Sequence, residues 1–228
     1  MRELLVALGI FTAGCAHQAP APAAGARVAL TRSQLVSACQ AGEANRCREL
    51  AGALRFEPTD ALDAECGQAR AAAICTELAT RFAWALGVEE DLARARTLFT
   101  DACAAGFAPA CEKLGRIDAR AAAERCVPDK PGQGLARDAI LEVIGLHVEE
   151  PTWCYQRMLA EPGFVVDVTA AWTIGPEGNV LEARTVKDTQ PEKQVGECVR
   201  AHILQWRFPC PAGGGTVNVT FPWLFRHD

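Results

Sequence analysis

The sequence lacks the short motifs that identify the commonest hydrolases and nucleotide-binding enzymes. Its only serines are Ser33 and Ser37, and neither is followed three positions later by the lysine of an S-x-x-K motif. The motifs G-x-S-x-G, H-E-x-x-H and G-x-G-x-x-G do not occur in the chain. His147 and His202 fall on apolar helical faces, where hydrogen-bonded packing roles are more common than ligand roles. We therefore expect a protein that is not an enzyme, with no catalytic residues and no cofactor.

Cysteine spacings typical of metal and redox sites are also missing, although the chain has 11 cysteines. No two cysteines are arranged as C-x2–4-C, the usual spacing of zinc ligands, or as the C-x-x-C of thioredoxin-like proteins. The net charge of -5 and the pI near 5.5 argue against binding to nucleic acid, which attracts basic surfaces. We expect no metal site and no nucleic-acid partner.

The sequence has no hydrophobic run long enough to span a bilayer as a helix, which takes about 20 residues. The apolar stretch from Leu4 to Ala13 follows Arg2, and such a short core behind a positive charge is typical of a secretory signal. The sequence TAGC at its end resembles a bacterial lipobox, with Thr12 where leucine is usual, which implies that Cys15 becomes the lipidated first residue. Ala16 follows in place of the aspartate that implies inner-membrane retention. We predict an exported protein, lipid-anchored at the periplasmic face of the outer membrane, with a soluble periplasmic protein as the alternative.

Composition divides the chain into five segments. Residues 1–15 form the predicted signal peptide and lipobox, and residues 16–30 are an Ala/Pro-rich spacer. Residues 31–126 have helical patterns, and residues 127–135, which begin VPDKPGQG, are a linker by composition. Residues 136–228 change to a mixed pattern with alternating stretches and form a second domain. About 200 residues remain after processing, enough for one or two domains.

Ten cysteines remain once Cys15 is set aside, an even number that suits the oxidising environment of an exported protein. Six of them form three local pairs: Cys39 and Cys47, Cys66 and Cys75, and Cys103 and Cys111. Each pair flanks a helix–turn–helix corner, and Gly42 and Gly106 suit the left-handed residue that ends a helix. A disulfide at such a corner would stabilise two antiparallel helices by roughly 2–3 kcal/mol. Buried free thiols are the main alternative for these pairs.

Residues 79–115 have the periodicity of amphipathic helices. Leu92, Ala95, Leu98 and Ala102 mark one helical face at steps of three and four. The stretch resembles the Sel-one-like repeat, a relative of the tetratricopeptide repeat, at Ala85-Leu86-Gly87, Asp91, Ala95, Leu98, Ala102-Cys103, Gly106, Ala110-Cys111 and Leu114-Gly115. Residues 35–56 keep another copy in ACQAGEANRC, whereas the copy with Cys66 and Cys75 lacks the usual turn glycine. The resemblance implies that residues 31–126 form a short α-solenoid of about five or six helices.

Residues 136–226 predict a helix, a β-hairpin, a second helix and a third strand, in that order. Positions 136–150 have a helical pattern, and Val166 to Ile174 alternates as a half-buried strand. The turn GPEGN leads to a second strand over Val180 to Lys187. A helix opens at Pro191, and TVNVTFPWLF supplies the last strand.

This order resembles the AgmX/PglI C-terminal domain, which is akin to the TonB C-terminal domain. The residues that carry the resemblance are Cys154-Tyr155, Pro162, Ile174-Gly175-Pro176, Gly178, Val180, Ala183, Val186, Cys198-Val199, Trp206, Phe208-Pro209, Pro211, Gly213-Gly214, Val217, Val219, Phe221-Pro222 and Phe225. Cys210 stands where a variable residue is usual. The resemblance implies a disulfide between Cys154 and Cys198, which leaves Cys126 and Cys210 as a fifth pair whose bonding stays open.

The expected fold class is α+β, a short disulfide-stapled α-solenoid followed by a small ββαβ domain like the TonB C-terminal domain. A three-stranded sheet has open edges that accept a partner strand, and helical repeats present a surface for proteins or peptides. The resemblances therefore imply a protein–protein interaction adaptor of the cell envelope, with envelope proteins or peptides as partners. We expect no energy transduction of the TonB type, because the sequence shows no inner-membrane helix and no long Pro-rich rod. The alternatives are an enzyme of cell-wall or β-lactam chemistry and a self-associating structural envelope protein.

Overall fold

The computed structural model describes residues 30–69, 71–126, 134–158 and 165–226. These residues fold as a mixed α+β protein with nine helices and a three-stranded antiparallel sheet. The predicted lipidation residue Cys15 and the predicted signal peptide lie outside the described residues, as do nearly all of the spacer and positions 127–133 of the linker. Within the described ranges, no helix combines the length and the apolar character needed to cross a membrane. The division into two domains stays a prediction.

The first six helices form three consecutive pairs. Their bounds are α1 Arg32–Gln40, α2 Ala44–Leu54, α3 Thr59–Ala69, α4 Ala72–Ala83, α5 Leu92–Ala104 and α6 Ala108–Ala123. The left-handed glycines expected at two corners are found, since Gly42 has a φ of +93° and Gly106 a φ of +86°. Thr31 starts α1 with a capping box, in which its hydroxyl accepts from the Gln34 N–H and the Gln34 side chain accepts from the Thr31 N–H. Local sequence therefore sets both the corners and the start of this helical half.

A buried arginine crosses the apolar interior of the helical half. Arg81 on α4 is 4% exposed, and its guanidinium donates to the Leu54 carbonyl at 2.9 Å and to the Glu57 carbonyl at 2.7 Å. These carbonyls lie at and just after the end of α2, where backbone acceptors lack helical partners. The large side chains of this half that are fully buried include Leu50, Leu62, Leu78, Trp84 and Phe99. Arg81 therefore holds the second helix pair against the first.

Three helices and three strands make up the rest of the described chain. Their bounds are α7 Arg137–Leu146, α8 Glu149–Met158, β1 Val166–Ile174, β2 Val180–Asp188, α9 Gln194–Ile203 and β3 Val217–Phe225. The strand order is β2-β1-β3, and β1 pairs antiparallel with both neighbours. The alternation expected for β1 is found, because Val168, Ala170 and Trp172 are buried while Thr169 and Thr173 are partly exposed. The sheet therefore has one face in the core and one face towards solvent.

The helical pattern over 136–150 corresponds to parts of two helices. α7 ends at Leu146, with His147 as its C-cap, and α8 begins at Glu149. Two glutamates and Pro151 lie in the first turns of α8, where acidic side chains and proline are both favourable. The sequence predicts one helical pattern here because the apolar spacing of α7 continues as far as His147. That spacing gives no sign of the break between α7 and α8.

The inner face of the sheet packs on α9 and on a cluster of aromatic rings. Trp172 of β1 lies 6.1 Å from Trp206 and 6.2 Å from Phe208, measured between ring centroids. Gly178 in the hairpin turn has a φ of +77°, and a Cβ atom there would overlap the carbonyl oxygen of Phe208. The side chains of α9 that fill the core are Val195, Val199 and Ile203. This core fixes the sheet in place and leaves its outer face and one edge uncovered by the described residues.

Candidate functional site

Ten cysteines lie in five pairs at disulfide distance, with Cα–Cα separations from 4.6 to 5.7 Å. The pairs are Cys39–Cys47, Cys66–Cys75, Cys103–Cys111, Cys126–Cys210 and Cys154–Cys198. The first three each join two paired helices at a corner, and the last joins α8 to α9. Cys126 and Cys210, whose bonding the sequence leaves open, are neighbours here. These distances support a disulfide-bonded protein.

The outer side of β3 is the open edge of the sheet. β1 lies in the centre, so β2 and β3 each have one side without a sheet partner. On the β2 side, the Phe208 N–H donates to the Gly178 carbonyl at 2.8 Å in the turn that precedes the strand, and α9 packs against β2 itself. No described residue makes a backbone hydrogen bond to the outer side of β3. This edge therefore offers unpaired N–H and C=O groups along Val217–Phe225.

Pro222 indicates which residues of β3 direct their backbone groups outward. It pairs with Thr169 of β1 and has no N–H to donate. Proline is tolerated in an edge strand where its nitrogen faces away from the neighbouring strand. Because successive residues alternate in direction, Asn218 and Thr220 share the outward direction of Pro222. Two outward N–H groups therefore precede the proline along the edge.

A shallow groove lies on the solvent side of the sheet, next to this edge. Its floor is Ala171, a small residue near the centre of β1, and its volume is about 340 Å³. Arg184 and Thr220 flank Ala171 on the two neighbouring strands. Thr173 Oγ1 lies 2.9 Å from Asn218 Oδ1 and makes one end of the groove polar. An open groove of this kind suits the side chains of an extended peptide better than an enclosed small molecule.

A polar cluster lies where α6 meets the corner between α7 and α8. His147 is 4% exposed, and its two ring nitrogens lie 2.6 Å from Glu124 Oε1 and 2.6 Å from Glu150 Oε1. The ring stacks on Trp206 at a centroid distance of 4.7 Å. Both nitrogens need a proton to donate to two carboxylates, so this geometry favours the imidazolium form. We call the cluster the polar seam, and its residues are Lys113, Arg116, Arg120, Glu124, His147, Glu149 and Glu150.

The two carboxylates keep a proton on His147. Burial alone would lower the pKa of His147, but the hydrogen bonds and charges of Glu124 and Glu150 outweigh burial and raise the pKa above its usual value. Burial raises the pKa of Glu150, and its hydrogen bond with His147 opposes this only in part. Oε2 of Glu150 is buried and has no hydrogen-bond partner among the described residues. An imidazole held in this way joins two segments of the chain and has no nitrogen available to act on a substrate.

Glu149 forms the other half of the polar seam. Its Oε1 accepts from Lys113 Nζ at 2.8 Å and from Arg116 Nη1 at 2.6 Å. Burial would raise the pKa of Glu149, but these two cations outweigh burial and lower it. Both cations also lie over the ring of Trp84, whose N–H donates to the Leu146 carbonyl at 3.1 Å. The polar seam therefore attaches the helix pairs to the α7–α8 corner through partly buried charges.

His202 lies beside the disulfide between Cys154 and Cys198. A ring nitrogen of His202 and both sulfur atoms lie within 4.8 Å of one another. The ring packs edge-on against Trp153 at a centroid distance of 6.0 Å. Burial, followed by the positive charge of His147, lowers the pKa of His202 to about 4. The imidazole is therefore neutral at neutral pH.

Among the described residues, neither serine makes a hydrogen bond to a histidine. Ser33 Oγ lies 3.1 Å from the hydroxyl of Thr31, near the start of α1. His147 has both nitrogens occupied by carboxylates, and His202 adjoins two sulfur atoms that are bonded to each other. Covalent catalysis needs a nucleophile within hydrogen-bond reach of its base. The expectation that the protein is not an enzyme stays a prediction.

The sequence indicates the cysteine pairs and the strands but contains little sign of the polar seam. Only His147 stands out there, as a hydrogen-bonded packing residue on an apolar face. Its spacing from Glu150, three positions further on at a helix start, is a local signal, whereas Glu124 lies 23 positions away. A contact between such distant positions leaves no periodic pattern.

Comparison with known proteins found no match, whether among family models, curated proteins or solved structures. The Sel-one-like and AgmX/PglI resemblances therefore rest on the residues quoted for them. Both resemblances stay predictions.

Proposed function

We propose that this protein is a non-enzymatic lipoprotein of the cell envelope that binds partner proteins through the open edge of β3. In this proposal, residues 31–126 are a Sel-one-like α-solenoid and residues 136–228 are a TonB-like C-terminal domain. Cys15 carries the lipid that holds the protein at the periplasmic face of the outer membrane. The partner is an envelope protein that contributes an extended segment.

The observation that carries this proposal is the unpaired outer side of β3. A partner segment that pairs there satisfies the outward groups of Asn218 and Thr220 and extends the sheet to a fourth strand. Leu224 on the same strand is 54% exposed and offers apolar contact to the side chains of the segment. Pro222 interrupts the row of donors, a device that limits edge-to-edge association between copies of a protein. The edge therefore favours a short foreign segment over a second copy of the chain.

The test is an in-cell crosslinking pull-down with the full protein and two variants at one position. Thr220→Pro removes an outward N–H from the edge, whereas Thr220→Val keeps that N–H and removes only the hydroxyl. We expect wild type and Thr220→Val to capture the same partner, and Thr220→Pro to lose at least about 10-fold in capture, equivalent to about 1.4 kcal/mol. Circular dichroism of each variant checks that the fold is retained.

The outcomes of this test separate the candidate functions. Equal capture by all three proteins would reject the β3 edge as the binding site. Capture of the chain by itself, sensitive to Thr220→Pro, would identify a self-associating protein in place of an adaptor.

The lipid anchor has its own test. Metabolic labelling with a fatty acid should mark the wild-type protein, and the label should be lost in Cys15→Ala. An unlabelled wild-type protein would contradict the anchor and support the soluble periplasmic form.

A further inference from the structure

Three potential metal ligands converge where α8 packs on α9. The sulfur atoms of Cys154 and Cys198 and a ring nitrogen of His202 lie within 4.8 Å of one another. Two thiolates and one imidazole, with a fourth position open, form one of the sites in which proteins hold zinc. We propose that these three residues bind one zinc ion when the Cys154–Cys198 disulfide is reduced. This site is independent of the β3 edge and of the function proposed for it.

The backbone already places the ligands at suitable positions. Cys198 and His202 are four positions apart on α9, so they lie on the same face of the helix, one turn apart. Cys154 projects from α8 opposite them, with its Cα atom 5.7 Å from that of Cys198. A tetrahedral zinc ion with Zn–S bonds of about 2.3 Å holds its two sulfur ligands about 3.8 Å apart. Rotation of the two cysteine side chains reaches this separation once the bond between the sulfurs is broken.

The His202 ring is available as a metal ligand. Zinc binds a neutral imidazole through a ring nitrogen. Among the described residues, no hydrogen bond occupies its ring nitrogens, and the ring packs edge-on against Trp153. Coordination would therefore not break an existing hydrogen bond.

The site is buried on one side and accessible on the other. Cys154 is fully buried, whereas Cys198 and His202 are partly exposed. A reductant and a metal ion can therefore approach from the side of α9. Water is the expected fourth ligand, as in zinc sites with three protein ligands.

A phosphine can supply the two electrons that reduce the Cys154–Cys198 disulfide. The phosphine attacks one sulfur and breaks the S–S bond, and water then supplies the oxygen of the phosphine oxide and the two protons of the thiols. The disulfide gains two electrons and the phosphorus atom loses two. Binding of Zn²⁺ then displaces both thiol protons, because the thiolate is the metal ligand.

The other cysteine pairs provide the comparison. In the described ranges, Cys154, Cys198 and His202 are the one group in which a cysteine pair has a third ligand within reach. Cys103 and Cys111 form a corner pair without such a ligand and are the matched control. The spacing of cysteines along the sequence does not predict this site, because Cys154 and Cys198 are 44 positions apart.

The experiment uses the full chain, reduced with a phosphine under anaerobic conditions and freed of reductant by gel filtration. Co²⁺ is the probe, because its visible absorption reports tetrahedral coordination by thiolates, and Zn²⁺ then displaces it. We expect one tetrahedral Co²⁺ per reduced wild-type chain and none in the oxidised protein. His202→Ala should weaken binding at least about 10-fold, since loss of even an outer partner of a ligand costs 10–100-fold. Cys103→Ser with Cys111→Ser should leave binding unchanged.

Two results would overturn the proposal. One is equal affinity of Co²⁺ for the reduced wild type and for His202→Ala. The other is a control variant, Cys103→Ser with Cys111→Ser, that loses as much affinity for Co²⁺ as His202→Ala does. If reduction lowers the helical signal in circular dichroism, Zn²⁺ should restore it in wild type and fail to do so in His202→Ala. No restoration and no metal binding in wild type would also reject the site.

Discussion

Replacing His147 with phenylalanine tests whether the polar seam holds the helix pairs to the α7–α8 corner. Phenylalanine keeps a ring against Trp206 but cannot donate to Glu124 or Glu150. Both carboxylates are largely buried, with side chains 18% and 4% exposed, and they would lose the donor that they share. Removal of one partner from a buried charged group costs about 3–5 kcal/mol. We expect the free energy of unfolding to fall by about this amount near pH 6.

The same substitution should remove a pH dependence. Because the folded pKa of His147 lies above 6.5, the stabilisation from its imidazolium is fully present below pH 6.5 and is lost as the pH rises through the folded pKa. Each pH unit in that window removes up to about 1.4 kcal/mol. The charged groups that act on His147 or respond to its charge are Glu124, Glu150, Arg120 and His202. The stabilities of wild type and variant should therefore converge as the pH rises.

Urea unfolding, followed by tryptophan fluorescence at a series of pH values, measures both effects. Glu142→Gln, at an exposed position of α7, is the control and should change stability by no more than about 0.5 kcal/mol. The reasoning would be refuted if His147→Phe were as stable as wild type near pH 6. It would also be refuted if wild-type stability did not fall as the pH rises above 6.5.

Three further perturbations have separate expectations. Gly178 has a φ of +77°, and Gly178→Ala would place a methyl group against the Phe208 carbonyl, so it should destabilise the protein by more than about 2 kcal/mol. Gly42 has open space around it, and Gly42→Ala should cost about 1 kcal/mol. Urea titration compares the two, and equal costs would contradict the close approach. Replacing Cys126 and Cys210 together by alanine opens a link across 84 positions. The free energy of unfolding should fall by about 4.6 kcal/mol, against about 2.6 kcal/mol for a local pair, and thermal unfolding should show the same order. Glu149→Gln should make the protein's stability less sensitive to acid. Because the pKa of Glu149 is lowered in the folded state, the stability that its carboxylate contributes is present above pH 4.5 and is lost as the pH falls through the folded pKa. An acid transition identical to that of wild type would argue against this.

The parts of the fold that follow from short-range patterns could be predicted from the sequence. The alternation around Trp172 indicates a strand with one buried face, and the structure has that strand at Val166–Ile174. Gly42 and Gly106 indicate helix ends because each supplies a positive φ three positions after a cysteine. These features depend on residues within a few positions of one another, so a single sequence contains them.

The contacts that join distant segments could not be predicted. Arg81 pairs with carbonyls 24 and 27 positions away, and nothing in its local sequence indicates a buried arginine. His147 and Glu124 meet across a linker, and His202 meets Cys154 only because α8 packs on α9. Such contacts depend on how elements pack, which local propensity does not determine.

Site-specific photocrosslinking in cells is the most direct test of the central claim that a partner strand binds at the β3 edge. The photoreactive residue is placed at Asn218 on β3 or, as the control, at Glu182 on β2. Both positions are exposed and pair with Thr173 from opposite sides. We predict that a foreign envelope protein crosslinks from position 218 and not from position 182, and that Thr220→Pro abolishes the crosslink. Crosslinking from position 182 alone, or from neither position, would contradict the account.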